Sequence, residues 1–143
     1  MKQIIRLNVV SILYALFIFV PIELMVNVYR ISRLTGWDIN TVNKLSVITF
    51  FVNIILGTII IYLLTAKWLG RRRLNYITTI LWVPYFILFV YIFVSLFPIT
   101  NGGDDPNPVT GLIVIGRFFL YPIYILLINL ISSIKDDKTT SRN

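Results

Sequence analysis

Four apolar stretches, at residues 7–29, 45–69, 74–97 and 109–134, take up most of this 143-residue chain. About 20 apolar residues in a helix cross the hydrocarbon of a bilayer, so each stretch can span it with some tilt. Backbone polar groups in lipid must be satisfied within the protein, and a helix does this locally. The chain therefore reads as all-α: a polytopic membrane protein, one domain folded as a bundle of four transmembrane helices. A short tail, 135–143, follows the fourth. Apolar residues make up 57% of the sequence, and mean hydropathy is +0.85. A soluble chain this short leaves about a third of its unfolded-state surface exposed and has no use for so much apolar area.

Basic residues set the expected orientation. If the N-terminus is inside, nine Lys and Arg fall on the cytoplasmic side: Lys2, Arg6, Lys67, Arg71, Arg72, Arg73, Lys135, Lys138 and Arg142. Three fall outside: Arg30, Arg33 and Lys44. The excess favours a multi-pass plasma-membrane protein with both termini cytoplasmic. The first apolar run is too long for a signal peptide and has no A-x-A-like site after it, so it reads as an uncleaved span. The first helix has room to continue to Leu34, where Gly36 would stop it. Trp37 and Trp68 stand where interfacial anchors belong. Lys67, Arg71, Arg72 and Arg73 form a tight basic hairpin that fits contact with anionic lipid head groups. That hairpin accounts for much of the +7 net charge without invoking nucleic acid.

Composition also limits the chemistry. The chain has no His and no Cys, which removes imidazole and thiolate zinc sites, thiol chemistry and His-assisted nucleophiles. Its six carboxylates are Glu23, Asp38, Asp104, Asp105, Asp136 and Asp137, and the adjacent pairs lie in polar segments. No cofactor, metal site or enzymatic activity is expected. The chain holds 25 Ile but only two Ala, a bias typical of an AT-rich bacterial genome.

Two charges lie inside spans, and each costs roughly 2.5 kcal/mol or more near the centre of a bilayer. Glu23 is six residues before Tyr29, and Arg117 is six residues after Gly111. At 1.5 Å per residue both sit about 9 Å below the outer boundary. We expect them to face the bundle interior and pair, directly or through Asn27, Asn53 or Tyr121. Tyr124 completes this candidate intramembrane polar site. The pair would be a structural clamp, or a site where Glu23 takes a cation or proton and Arg117 an anionic head group. Polar residues recur at helical spacing: Ala15, Phe19, Glu23 and Asn27; Thr49, Asn53 and Gly57; Asn75, Thr78, Trp82 and Tyr85; Arg117, Tyr121, Tyr124, Ile128 and Ser132. Such stripes mark helix–helix contacts or a Tyr-lined cavity. Pro21, Pro84 and Pro122 place potential kinks in three of the spans.

These features favour a non-catalytic protein acting through membrane lipids, a membrane protein partner or a second copy of itself, as an accessory subunit or a bacterial immunity or defence protein does. The alternative is a small oligomeric transporter, channel or flippase built on Glu23 and Arg117. That alternative requires a cavity reaching Glu23.

Overall fold

A computed structural model describes residues 2–69 and 73–140. It is all-helical over these residues, and four of its helices are long and apolar enough to cross a membrane. Helix α1 is Lys2–Val26, α2 is Val28–Thr35, α3 is Ile39–Leu64, α4 is Thr78–Leu96 and α5 is Pro108–Thr140. One end of the bundle carries the start of α1 and the last turns of α5; we call it the terminus end. The opposite end is the clasped end.

The apolar runs mark the spans, but the helices overrun them. The first connection is not the long loop implied by a stop at Tyr29 and a restart at Leu45. Only residues 36–38 separate α2 from α3. Gly36 adopts a left-handed φ of 71°, and its N–H caps the Ser32 carbonyl. Asp38 then opens α3, its carboxylate accepting from the Asn40 N–H at 2.9 Å. Hydropathy loses the first turns of α3 because they carry Asn40, Asn43 and Lys44. At the other margin, α5 continues to Thr140, so the expected tail is largely helical backbone. Pro108 starts α5, where a missing N–H costs nothing, and the Asn107 side chain accepts from the Thr110 N–H at 2.9 Å. Pro21, Pro84 and Pro122 all lie within continuous helices, and the first span breaks at Asn27 instead.

Helix α1 is the centre of the bundle. Of its most apolar window 39% is buried, against 11% for α3 and α5 and 17% for the third span. It packs most extensively on α4, then on α3, and more lightly on α5. Trp82, Tyr14, Val10, Ile61 and Ile125 are its fully covered neighbours and members. Phe19 of α1 meets the rings of Phe86, Phe89 and Phe93 on α4. On the other side Gly57 lets α3 come close: a Cβ there would lie 3.0 Å from the Phe17 ring. The polar stripes turn inward. Gly57, Thr78, Trp82, Ile128 and Ser132 are buried, and Asn129 donates to the Thr78 hydroxyl at 3.1 Å.

After α3, Thr65–Leu69 forms one π-helical turn, and Arg73–Ile77 a 3₁₀ turn into α4. Arg6 donates to the Trp68 carbonyl at 3.1 Å, placing a cation on the carbonyl end of that helix. Lys67 is exposed there. Arg71 and Arg72 lie outside the described residues, as do 141–143 and the side chains of Arg73 and of 134–140.

The clasped end is tied across the sequence. Arg33 on α2 grips Asp104 in the α4–α5 loop through two parallel hydrogen bonds of 2.9 and 2.7 Å. Arg30 donates to the Phe97 carbonyl at 2.8 Å, and Asn107 to the Tyr29 hydroxyl at 3.2 Å. Asp104, in a segment the sequence marks only as polar, is 3% exposed beneath Arg33. The Arg33 hydrogen bonds hold its carboxyl below the ordinary aspartate range, and Arg30 adds to the effect. A carboxyl lowered on folding stabilises at pH above its unfolded value of about 3.9, and that contribution fades as pH falls through the folded value. Asp104→Asn should therefore be less stable than the native chain at pH 7 in detergent. The gap between their melting temperatures should close on acidification below about pH 4. A gap that stays constant across this range would show that the clasp does not contribute in this way.

Candidate functional site

The residues expected to form one intramembrane polar site form two. Successive α1 residues advance about 100° around the axis. Phe17, Ile18 and Pro21 face the α3–α5 side, whereas Ile22, Glu23, Val26 and Asn27 face away from it. Glu23 and Arg117 therefore line separate cavities on different sides of α1, and no ion pair joins them. The expectation of a clamp fails on angle. Asn27 goes with Glu23. Asn53, Tyr121 and Tyr124 go with Arg117.

The Arg117 site is a groove of about 200 Å³ between α1, α3 and α5. Its walls are Phe17, Ile18, Pro21, Phe50, Ile54 and Leu120, and its polar groups belong to Arg117, Asn53, Tyr121 and Tyr124. The groove opens past Ile54 and Leu120, both exposed on the bundle surface. The guanidinium carbon of Arg117 lies 4.2 Å from the centre of the Phe50 ring. This cation–π contact is the part of the site that the sequence did not disclose, since one Phe among many apolar residues carries no signal of its own. The Arg117 Nη1 is buried without a hydrogen-bond acceptor. The tyrosines are already engaged. Tyr121 donates to the Tyr14 carbonyl at 2.5 Å, and the Tyr124 hydroxyl lies 2.8 Å from that of Thr58. Their rings stack, 5.5 Å between centroids, and form a fixed floor. Arg117 and Asn53 are the groups left to meet something else.

The Glu23 site is a larger cavity of about 590 Å³ toward the clasped end, between α1, α4 and α5. Asn27 donates to the Glu23 backbone carbonyl at 2.9 Å and to its carboxylate Oε2 at 3.0 Å. Asn27 sits at the break between α1 and α2, so the residue that interrupts the helix also orients the acid. Around them are Val90, Val94, Val114 and the rings of Phe86, Phe93, Phe97 and Phe118. Lys67, the described cation of the basic hairpin, lines neither cavity.

Comparison of the chain with protein-family models, with curated proteins and with solved structures finds no match.

Because the two charges occupy different cavities, removing them should give independent effects. Glu23→Gln and Arg117→Met should change unfolding free energy additively, to within about 0.5 kcal/mol in a double-mutant cycle. A coupling above about 1 kcal/mol would mean that they interact after all.

Proposed function

We propose that this chain is a small non-catalytic membrane protein that works by binding, and that the Arg117 groove takes the polar part of an anionic amphiphile of the bilayer. The observation that carries this reading is the guanidinium. Placing an arginine in a span costs about 2.5–3.5 kcal/mol on insertion scales. A cation–π contact returns about 0.5–2 kcal/mol, so Phe50 offsets only part of that cost. Nη1 still lacks an acceptor. A phosphate or carboxylate oxygen would supply one as a charge-assisted hydrogen bond, and Asn53 adds a neutral donor beside it. Acyl chains would lie on Ile54 and Leu120, which are exposed on the bundle surface.

The reading extends to the whole protein. A chain with no His and no Cys, whose carboxylates are spread along its length, is suited to recognition rather than bond-making. An accessory subunit, or an immunity or defence protein of a bacterial plasma membrane, fits this description, with lipid, a membrane protein or a second copy as partner. A small oligomeric transporter, channel or flippase is the second reading. One observation favours it: a cavity does reach Glu23.

The lipid reading is tested by native mass spectrometry of the protein released from nanodiscs of mixed phosphatidylglycerol and phosphatidylcholine. The native chain should retain the anionic lipid preferentially. Arg117→Gln should lower that retention about tenfold, as expected for losing one charge-assisted hydrogen bond. Equal retention of the two lipids by the native chain would overturn the reading.

The clasped end is proposed to face outward, on the nine-to-three distribution of basic residues in the sequence. With no native Cys, Gly103→Cys gives a single reporter in the α4–α5 loop. It should react with an impermeant maleimide added to intact cells. Labelling only after the cells are opened would reverse the orientation.

A further inference from the structure

We infer that the Glu23 cavity is a binding site for a lipophilic organic cation, one carrying its positive charge among aromatic or alkyl groups. The inference concerns a different cavity from the Arg117 groove and holds whether or not the ligand is moved across the membrane. The volume, about 590 Å³, falls within the range of small-molecule pockets. Its walls hold one acidic side chain and no basic one. Among the described residues, Arg33 is ion-paired with Asp104, and Arg30 donates to the Phe97 carbonyl at the rim and makes no salt bridge with Glu23. Arg117 faces the other cavity. Of the two carboxylate oxygens, Oε2 is held by Asn27, and Oε1 has no hydrogen-bond donor from the described protein. The carboxylate is thus oriented from one side and uncompensated in charge.

The nature of the walls selects the cation. A metal ion would need several oxygen ligands in place of its water. The cavity offers the carboxylate and the Asn27 amide, and the described residues contain no acidic cluster that could hold a metal. An acyl chain would fill the apolar walls and leave Glu23 without a counter-charge. A bulky organic cation satisfies both features. It is weakly hydrated, it neutralises the carboxylate, and its substituents meet phenyl faces that attract positive charge. Those faces come in two mutually supporting pairs: Phe86 against Phe118 at 4.9 Å between centroids, and Phe93 against Phe97 at 5.2 Å. Edge and tilted packing holds each ring in place before any ligand enters.

The probe is radiolabelled tetraphenylphosphonium, measured by equilibrium dialysis against the full chain in nanodiscs, with empty nanodiscs as background. Saturable binding is expected. Glu23→Gln should weaken it at least tenfold, Glu23→Asp should retain most of it, and Phe93→Leu should weaken it about two- to fivefold. Arg117→Gln should leave it unchanged, which separates this site from the lipid groove. A measurement on the native chain guards against variants that fail to fold: neutral triphenylphosphine oxide should compete poorly. Competition by the neutral compound equal to that of the cation would overturn the inference, as would unaltered affinity in folded Glu23→Gln. Displacement of the probe by millimolar sodium would overturn it in favour of a metal-ion site.

Discussion

Everything in this molecule hangs on the burial of α1. In lipid, apolar surface gains little by leaving its surroundings, because the acyl chains are as apolar as the side chains. Association must come from close packing and from polar groups that find each other. Helix α1 collects these contacts. Its α4 side is lined by phenyl rings, and its α3 side is brought near by the missing side chain of Gly57. The second and third spans each pack more on α1 than on any other span, and α5 divides its contacts among all three. The two cavities are a result. They are the places beside α1 where its neighbours diverge, one opening between α3 and α5 and the other between α4 and α5.

That geometry explains how much of the architecture was legible in the sequence. The apolar runs and their lengths identify four spans, and the 3.6-residue period picks out the inward stripes. Which residues share a face of one helix was legible too. The azimuth of Glu23 was not. Periodicity assigns each residue to a face of its own helix and is silent on which neighbour that face meets. For a peripheral helix the distinction hardly matters, since it has one inner face. Helix α1 has inner faces on several sides, so "pointing inward" leaves Glu23 and Arg117 free to point into different spaces. Depth counted along each helix was therefore insufficient evidence for a pair.

The contacts that escaped sequence reasoning share a property. Arg33 and Asp104 are 71 residues apart, and both lie in segments that read as polar. Phe50 beneath Arg117 is one of ten phenylalanines. In each case identity is ordinary and only the partner is informative. The helix ends were misplaced for a related reason. Hydropathy reports where lipid stops, whereas caps such as Asp38 and Gly36 report where the helix stops, and α3 runs for more than a turn between the two.

Asn27 has a consequence of its own. Its amide binds both the backbone carbonyl and the carboxylate of Glu23 at the point where α1 gives way to α2. Past that point, α2 holds the loop between α4 and α5 through Arg33. Asn27 is thus a joint shared by a chemical group and a structural strut. Whatever occupies the carboxylate shares its anchor with the element that braces two hairpins together. Such a joint gives the bundle a physical link between the cavity beside α1 and the surface of the clasped end.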